Sequence, residues 1–163
     1  MLGFGGSPNV TNTESWNGTS WTEVNDLNTG RYYAGGIGTN TAALCAGGFI
    51  APSTRSALNE QWNGTSWTEV NDLNTGRRYN GGIGLITSAL TMGGETPGGA
   101  QAINEDWNGA SWSEVADLNT ARYYANGAGS TTAGLASGGN TASTDTATEE
   151  WNAGNTIKTV DTD

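Results

Sequence analysis

The stretch Trp62-Asn-Gly-Thr-Ser-Trp67-Thr-Glu-Val-Asn-Asp-Leu-Asn-Thr-Gly-Arg77 repeats, letter for letter, the residues from Trp16 to Arg31. It returns from Trp107 to Arg122 with four changes, at Ala110, Ser113, Ala116 and Ala121, and a fourth start stands at Trp151. The leading tryptophans lie 46, 45 and 44 residues apart. A period near 45 divides the chain into supersecondary units too small to bury a core alone, so the units must stack on one another.

The order of residues within a unit predicts four short strands. A Gly-rich segment comes first (Arg31 to Gly38, Arg77 to Gly84, Arg122 to Gly129), then an apolar one that ends in paired glycines (Gly5-Gly6, Gly47-Gly48, Gly93-Gly94, Gly138-Gly139). An acidic segment leading to Trp follows, and Ser-Trp-Thr-Glu-Val closes the unit. Asn-Gly between the last two is a strong hairpin signal. A two-residue loop there sets Trp62 opposite Thr65 and Glu60 opposite Trp67, with both tryptophans and the glutamate on one face. The 26 glycines and the low share of charged residues, 13 %, suit many tight turns, while seven Trp and five Tyr at fixed phase argue against disorder. The chain opens at the second strand of a unit, so the first unit lacks its inner Gly-rich strand. It can close as a ring with one short unit, join a second chain in a larger ring, or add end to end; a four-unit body that assembles is favoured, because an unpaired edge templates pairing with another chain.

Units of four strands with Gly and aromatic marks at fixed phase are a signature of β-propeller blades. The Arg-Tyr strand, the apolar strand ending Gly-Gly, the aromatic, the later Trp and the Leu-Asn-Thr connector resemble the kelch repeat over nearly the whole chain. Trp16, Trp62, Trp107 and Trp151 stand where kelch blades usually carry Tyr, and the Trp pair is closer than is usual there. The WNGTSW wording is similar to arrays in phage structural proteins and bacterial surface proteins. The expectation is an all-β, single-domain β-propeller of about four four-stranded antiparallel blades: a partial blade over residues 1–30, then blades at about 31–75, 76–120 and 121–163. Trp21, Trp67 and Trp112 are expected to pack one blade onto the next, with Ile157 in their place in the degenerate last repeat.

The chain has no His and one Cys. That removes His-based triads, Cys–His nucleophiles and His- or thiolate-held zinc. Glu105-Asp106 and Glu149-Glu150 point to opposite faces of their strands, so neither is a dyad for glycoside hydrolysis. Glu14, Glu60, Glu105 and Glu149 precede the leading Trp in every repeat, as a structural position would. No enzyme activity, cofactor or metal is expected; Asp145, Asp161 and Asp163 lack the spacing of a calcium loop. Cys45, in an apolar run, reads as a small core residue. A net charge of −10 opposes nucleic acid. No apolar run is long enough to insert in a membrane and no signal peptide is visible.

Repeats that vary point to the candidate binding rim. The stretches after the Gly pairs, Phe49 to Ser56, Glu95 to Ala100 and Asn140 to Asp145, change in length and chemistry between constant flanks. Phe49, Arg55, Glu95 and Asp145 are the candidate ligand residues there, with Arg31, Arg77 and Arg122 from the adjoining connectors. The arginines have a structural alternative, bonding connector carbonyls or Asp26, Asp72 and Asp117. Trp16, Trp62, Trp107 and Trp151 either pack blades or stack on sugar rings. The function expected is a non-enzymatic structural or adhesive module of a virion (phage tail or fibre) or cell surface, which self-associates, joins other structural proteins or binds a surface receptor. The alternative is a small multivalent lectin for surface glycans.

Overall fold

The computed structural model describes residues 1–141, 146–152 and 156–160, and every regular element among them is a β-strand. The first sheet holds β1 (Leu2–Phe4), β2 (Thr13–Trp16) and β3 (Trp21–Val24). The second begins with β4 (Gly35–Gly38) and β5 (Ala43–Ala46), breaks out into a small hairpin of β6 (Phe49–Ile50) and β7 (Thr54–Arg55), and resumes with β8 (Asn59–Trp62) and β9 (Trp67–Val70). The third repeats this with β10 (Gly81–Leu85), β11 (Ser88–Met92), the hairpin β12 (Glu95–Thr96) and β13 (Gly99–Ala100), then β14 (Asn104–Trp107) and β15 (Trp112–Val115). The fourth is β16 (Asn126–Ser130), β17 (Ala133–Ser137), β18 (Thr148–Asn152) and β19 (Thr156–Val160). Strands pair antiparallel in chain order, so each sheet is a meander, interrupted in the second and third by an excursion hairpin. The first sheet holds three strands among the described residues, with β1 in the position of β5, β11 and β17.

The hairpin register differs from the expectation. Trp62 pairs with Trp67 and Glu60 with Glu69, across a four-residue loop rather than a two-residue one. The Asn63 side chain is the reason: its Oδ1 accepts the N–H groups of Thr65 and Ser66, both at 2.9 Å, and so caps a wider turn. Shifting the loop by two residues preserves the face, so the tryptophans still lie side by side, with ring centroids 5.5 Å apart. The same pairing recurs at Trp16/Trp21 and Trp107/Trp112.

Adjacent sheets meet face to face through three apolar layers. Leu27, Cys45, Trp62 and Trp67 fill the first with Leu2 and Phe4; Ile37, Leu44, Leu73, Trp107 and Trp112 fill the second; Ile83, Leu90, Met92, Leu118 and Trp151 fill the third. Both tryptophans of a hairpin thus face the preceding sheet, and each connector leucine is buried against the following one. Cys45 is fully buried here, and that burial pushes its thiol up to about 11 against the opposing pull of Arg31. The Gly-rich strands β4, β10 and β16 lie side by side. A Cβ on Gly82 would sit 2.4 Å from Ile37 Cγ1, and one on Gly127 would sit 2.6 Å from Ile83 Cγ2. Glycine is therefore what lets β10 and β16 each receive the isoleucine of the preceding Gly-rich strand.

Candidate functional site

The glutamate that precedes the leading Trp is the anchor of each complete unit. Glu60 accepts Arg31 Nη1 at 2.8 Å and the backbone N–H groups of Asn28 at 2.8 Å and Thr29 at 3.2 Å. Glu149 does the same with Arg122 Nη2 at 2.7 Å and the N–H groups of Asn119 and Thr120. Glu105 pairs with Arg77 and with the N–H groups of Asn74 and Thr75. All six charged side chains are buried, so each carboxylate spends its lone pairs holding the Leu-Asn-Thr connector in place. Arg31, Arg77 and Arg122 therefore lie inside the protein and are not open to a ligand at the surface. Of the two structural alternatives the connector carbonyls are engaged, Thr29 by Arg31 Nη1, Thr75 by Arg77 Nη1 and Thr120 by Arg122 Nε, whereas Asp26 and Asp72 accept the N–H groups of Thr13 and Asn59. Burial pulls the Arg77 guanidinium below its ordinary value, with Glu105 opposing, and its Nε and Nη2 have no partner. In the second sheet the same two guanidinium nitrogens reach Cys45, through Sγ at 3.3 Å and the carbonyl at 3.1 Å.

The leading tryptophans do not offer sugar platforms. Trp62, Trp107 and Trp151 are 1–3 % exposed, with their indole N–H groups donated to Asn40, Ile86 and Thr131 carbonyls. Trp16 is half-buried. Trp67 and Trp112 are buried against the preceding sheet, whereas Trp21, in the first sheet, is 46 % exposed. Asp145 and the Ile157 side chain lie outside the described residues.

The variable stretches do gather three of their candidates. Glu95 accepts Arg55 Nη2 at 2.8 Å and Arg78 Nε at 2.5 Å, bridging the second and third sheets. Both guanidinium groups lie over the Phe49 ring, at 5.5 and 4.8 Å from its centroid. Burial raises the Glu95 pKa, but hydrogen bonds from Arg78 and Arg55 outweigh it and hold the carboxyl below its usual range. The Glu95 bond likewise raises Arg78 above its ordinary value.

Beside this cluster stands a feature not anticipated from the sequence. Tyr33, Tyr79 and Tyr124 occupy one position in three successive repeats, all at positive φ (62°, 60° and 60°). Tyr79 N–H donates to the Tyr33 carbonyl and Tyr124 N–H to the Tyr79 carbonyl, at 2.8 and 2.9 Å. The rings pack in turn, with centroids 4.3 and 4.0 Å apart and planes tilted by 45° and 40°. A left-handed backbone costs about 1–2 kcal/mol at each non-Gly residue, so three repeats of it mark a built arrangement. Together with Asn80 and Asn126 the tyrosines line a shallow recess of about 240 Å³, in which Tyr33 and Tyr124 are 43 % and 51 % exposed. Their sequence signal is the Tyr at constant phase two residues after the buried arginine, which reads equally well as part of the Gly-rich strand.

Geometry and sequence thus describe an all-β repeat of antiparallel sheets stacked in chain order. No family model matches the chain, and no curated protein matches it. Among solved structures, the one titled "Structure of YjhT" is similar at a TM-score of 0.78 and 14 % identity, across 93 % of this chain and 52 % of that one. The chain spans about half the length of that structure and shares its all-β fold over this part.

Proposed function

We propose that the chain is a kelch-like run of β-propeller blades that works by association, as a structural or adhesive module of a virion or extracellular surface. The observation that carries this reading is that four sheets share three apolar layers among the described residues. The two outermost faces keep Trp21, Leu135 and Val160 exposed at 46, 42 and 39 %. Interior faces of the same sequence are covered, so the outer ones are suited to receiving a further sheet. The reading is non-enzymatic because the recurring carboxylates Glu60, Glu105 and Glu149 are each engaged by an arginine and two backbone N–H groups. Light scattering over a dilution series tests it: mass that rises with concentration is expected, and a strict monomer at every concentration overturns it.

A second reading, glycan binding, now draws on the tyrosines rather than the tryptophans. Exposed faces of Tyr33 and Tyr124 beside Asn126 combine an apolar platform with polar groups, as a sugar ring requires. A broad glycan panel read by intrinsic fluorescence, repeated on Tyr33→Ala, separates it from the first.

A further inference from the structure

We propose that the tyrosine row is a site of oxidative cross-linking, at which Tyr79 and Tyr124 couple to a dityrosine and join the third sheet covalently to the fourth. This modification needs neither the association nor the glycan binding proposed above.

All five tyrosines of the chain belong to one network of ring contacts, although they come from three different repeats. Tyr32 and Tyr33 precede β4, Tyr79 precedes β10, and Tyr123 and Tyr124 precede β16. The closest pair in the network spans two repeats. Tyr79 and Tyr124 have centroids 4.0 Å apart, against 4.3 Å for Tyr33 and Tyr79 and 5.8 Å for Tyr79 and Tyr123.

Several contacts hold this pair in place. Tyr124 N–H donates to the Tyr79 carbonyl, and the Arg78 guanidinium lies over the Tyr79 ring at 4.6 Å from its centroid, itself held by Glu95. The phenols meet as well: burial, and after it a hydrogen bond with the Tyr124 hydroxyl, raises the Tyr79 hydroxyl above its ordinary value. Hydroxyls in contact bring the ring carbons ortho to them close together, and phenoxyl radicals couple at those carbons. Tyr124 is exposed and so open to an oxidant.

The oxidant required is a haem peroxidase with hydrogen peroxide. Each phenol gives up its hydroxyl hydrogen atom, the two radicals form one carbon–carbon bond between ortho positions, and the hydrogens of those carbons pass as protons to the two oxygens and restore both hydroxyls. The pair loses two hydrogens in all, and one peroxide is reduced to two waters. Rings already held together couple faster than rings on separate chains. The new bond closes a loop one repeat long and restricts the unfolded chain, as a disulfide of that span does.

The test treats the full chain, at low concentration, with a haem peroxidase and limiting hydrogen peroxide. The expected product runs as a single chain on a denaturing gel, shows the blue emission of dityrosine and has lost two hydrogens in mass. Trypsin cuts after Arg78, Arg122 and Lys158, so the link is read as residues 79–122 joined to residues 123–158. Tyr124→Phe keeps the ring and should lower the yield of this link at least about fivefold, whereas Tyr123→Phe should leave it unchanged. In urea the five tyrosines should couple without preference. No single-chain link in the folded protein, an undiminished yield from Tyr124→Phe, a link made chiefly to residues 32–55, or the same distribution of links in urea as in buffer overturns the proposal.

Discussion

Residues 16–31 and 62–77 are identical, and they live in different surroundings. In the second stretch Trp62 and Trp67 are 1 % and 5 % exposed; in the first, Trp16 is half-buried and Trp21 is 46 % exposed. Glutamate stands two residues before each, buried against Arg31 at Glu60 and exposed at Glu14. Local sequence sets which face a hairpin presents. In the second stretch that face is covered by Leu2 and Phe4 of the first sheet and becomes core.

This contrast can be broken by substitutions at matched positions. The largest effect is expected from Glu60→Gln, which leaves Arg31 charged and buried: a loss of about 3–5 kcal/mol, read as a lower urea midpoint, whereas Glu14→Gln leaves the midpoint unchanged. Trp67→Ala comes next, costing about 3–4 kcal/mol through lost burial and a cavity, while Trp21→Ala in dilute monomer costs less than about 1 kcal/mol. Equal losses for the two tryptophans would mean that the first sheet has a covering neighbour in solution.

A finer contrast separates the two buried indoles. Trp67 Nε1 donates to Thr13 Oγ1 at 3.0 Å, but Trp112 Nε1 has no partner, because Asn59 holds the place of Thr13 and its own Oδ1 is unpaired as well. Asn59→Thr should stabilise the protein by about 1 kcal/mol, visible as a higher thermal midpoint; no gain would show that the asparagine is held for its bond to the Asn71 carbonyl. The smallest effect belongs to the rim. Glu95 titrates below the usual carboxylate range, so its contribution is full above its unfolded-state pKa and is lost as pH falls through the lower, folded one. The stability gap between wild type and Glu95→Gln should therefore be present at neutral pH and close in acid, and salt should shrink it.

The unit of four strands and the common face of its two tryptophans are legible in the sequence because period and alternation are local signals. The hairpin register was not, since Asn63 offers its side chain to two backbone N–H groups and widens the turn that Asn-Gly alone would make. The arginines illustrate the harder case. Arg31 looks like a surface cation beside a polar connector, and only the fold brings Glu60 from 29 residues away to bury it. Phe49, Arg55 and Glu95 stand out by their variability, but Arg78, which completes their cluster, stands where the other repeats have Tyr32 and Tyr123, inside the Gly-rich segment. The tyrosine row depends on a positive φ that no side chain announces.

The arginine and glutamate of each clasp are 29, 28 and 27 positions apart, less than one repeat of the sequence. A genetic duplication or deletion of one period therefore moves donor and acceptor together. Copy number can change without stranding a buried charge, a fault that would cost several kcal/mol at each new junction. The length of such an array is in this respect free to drift.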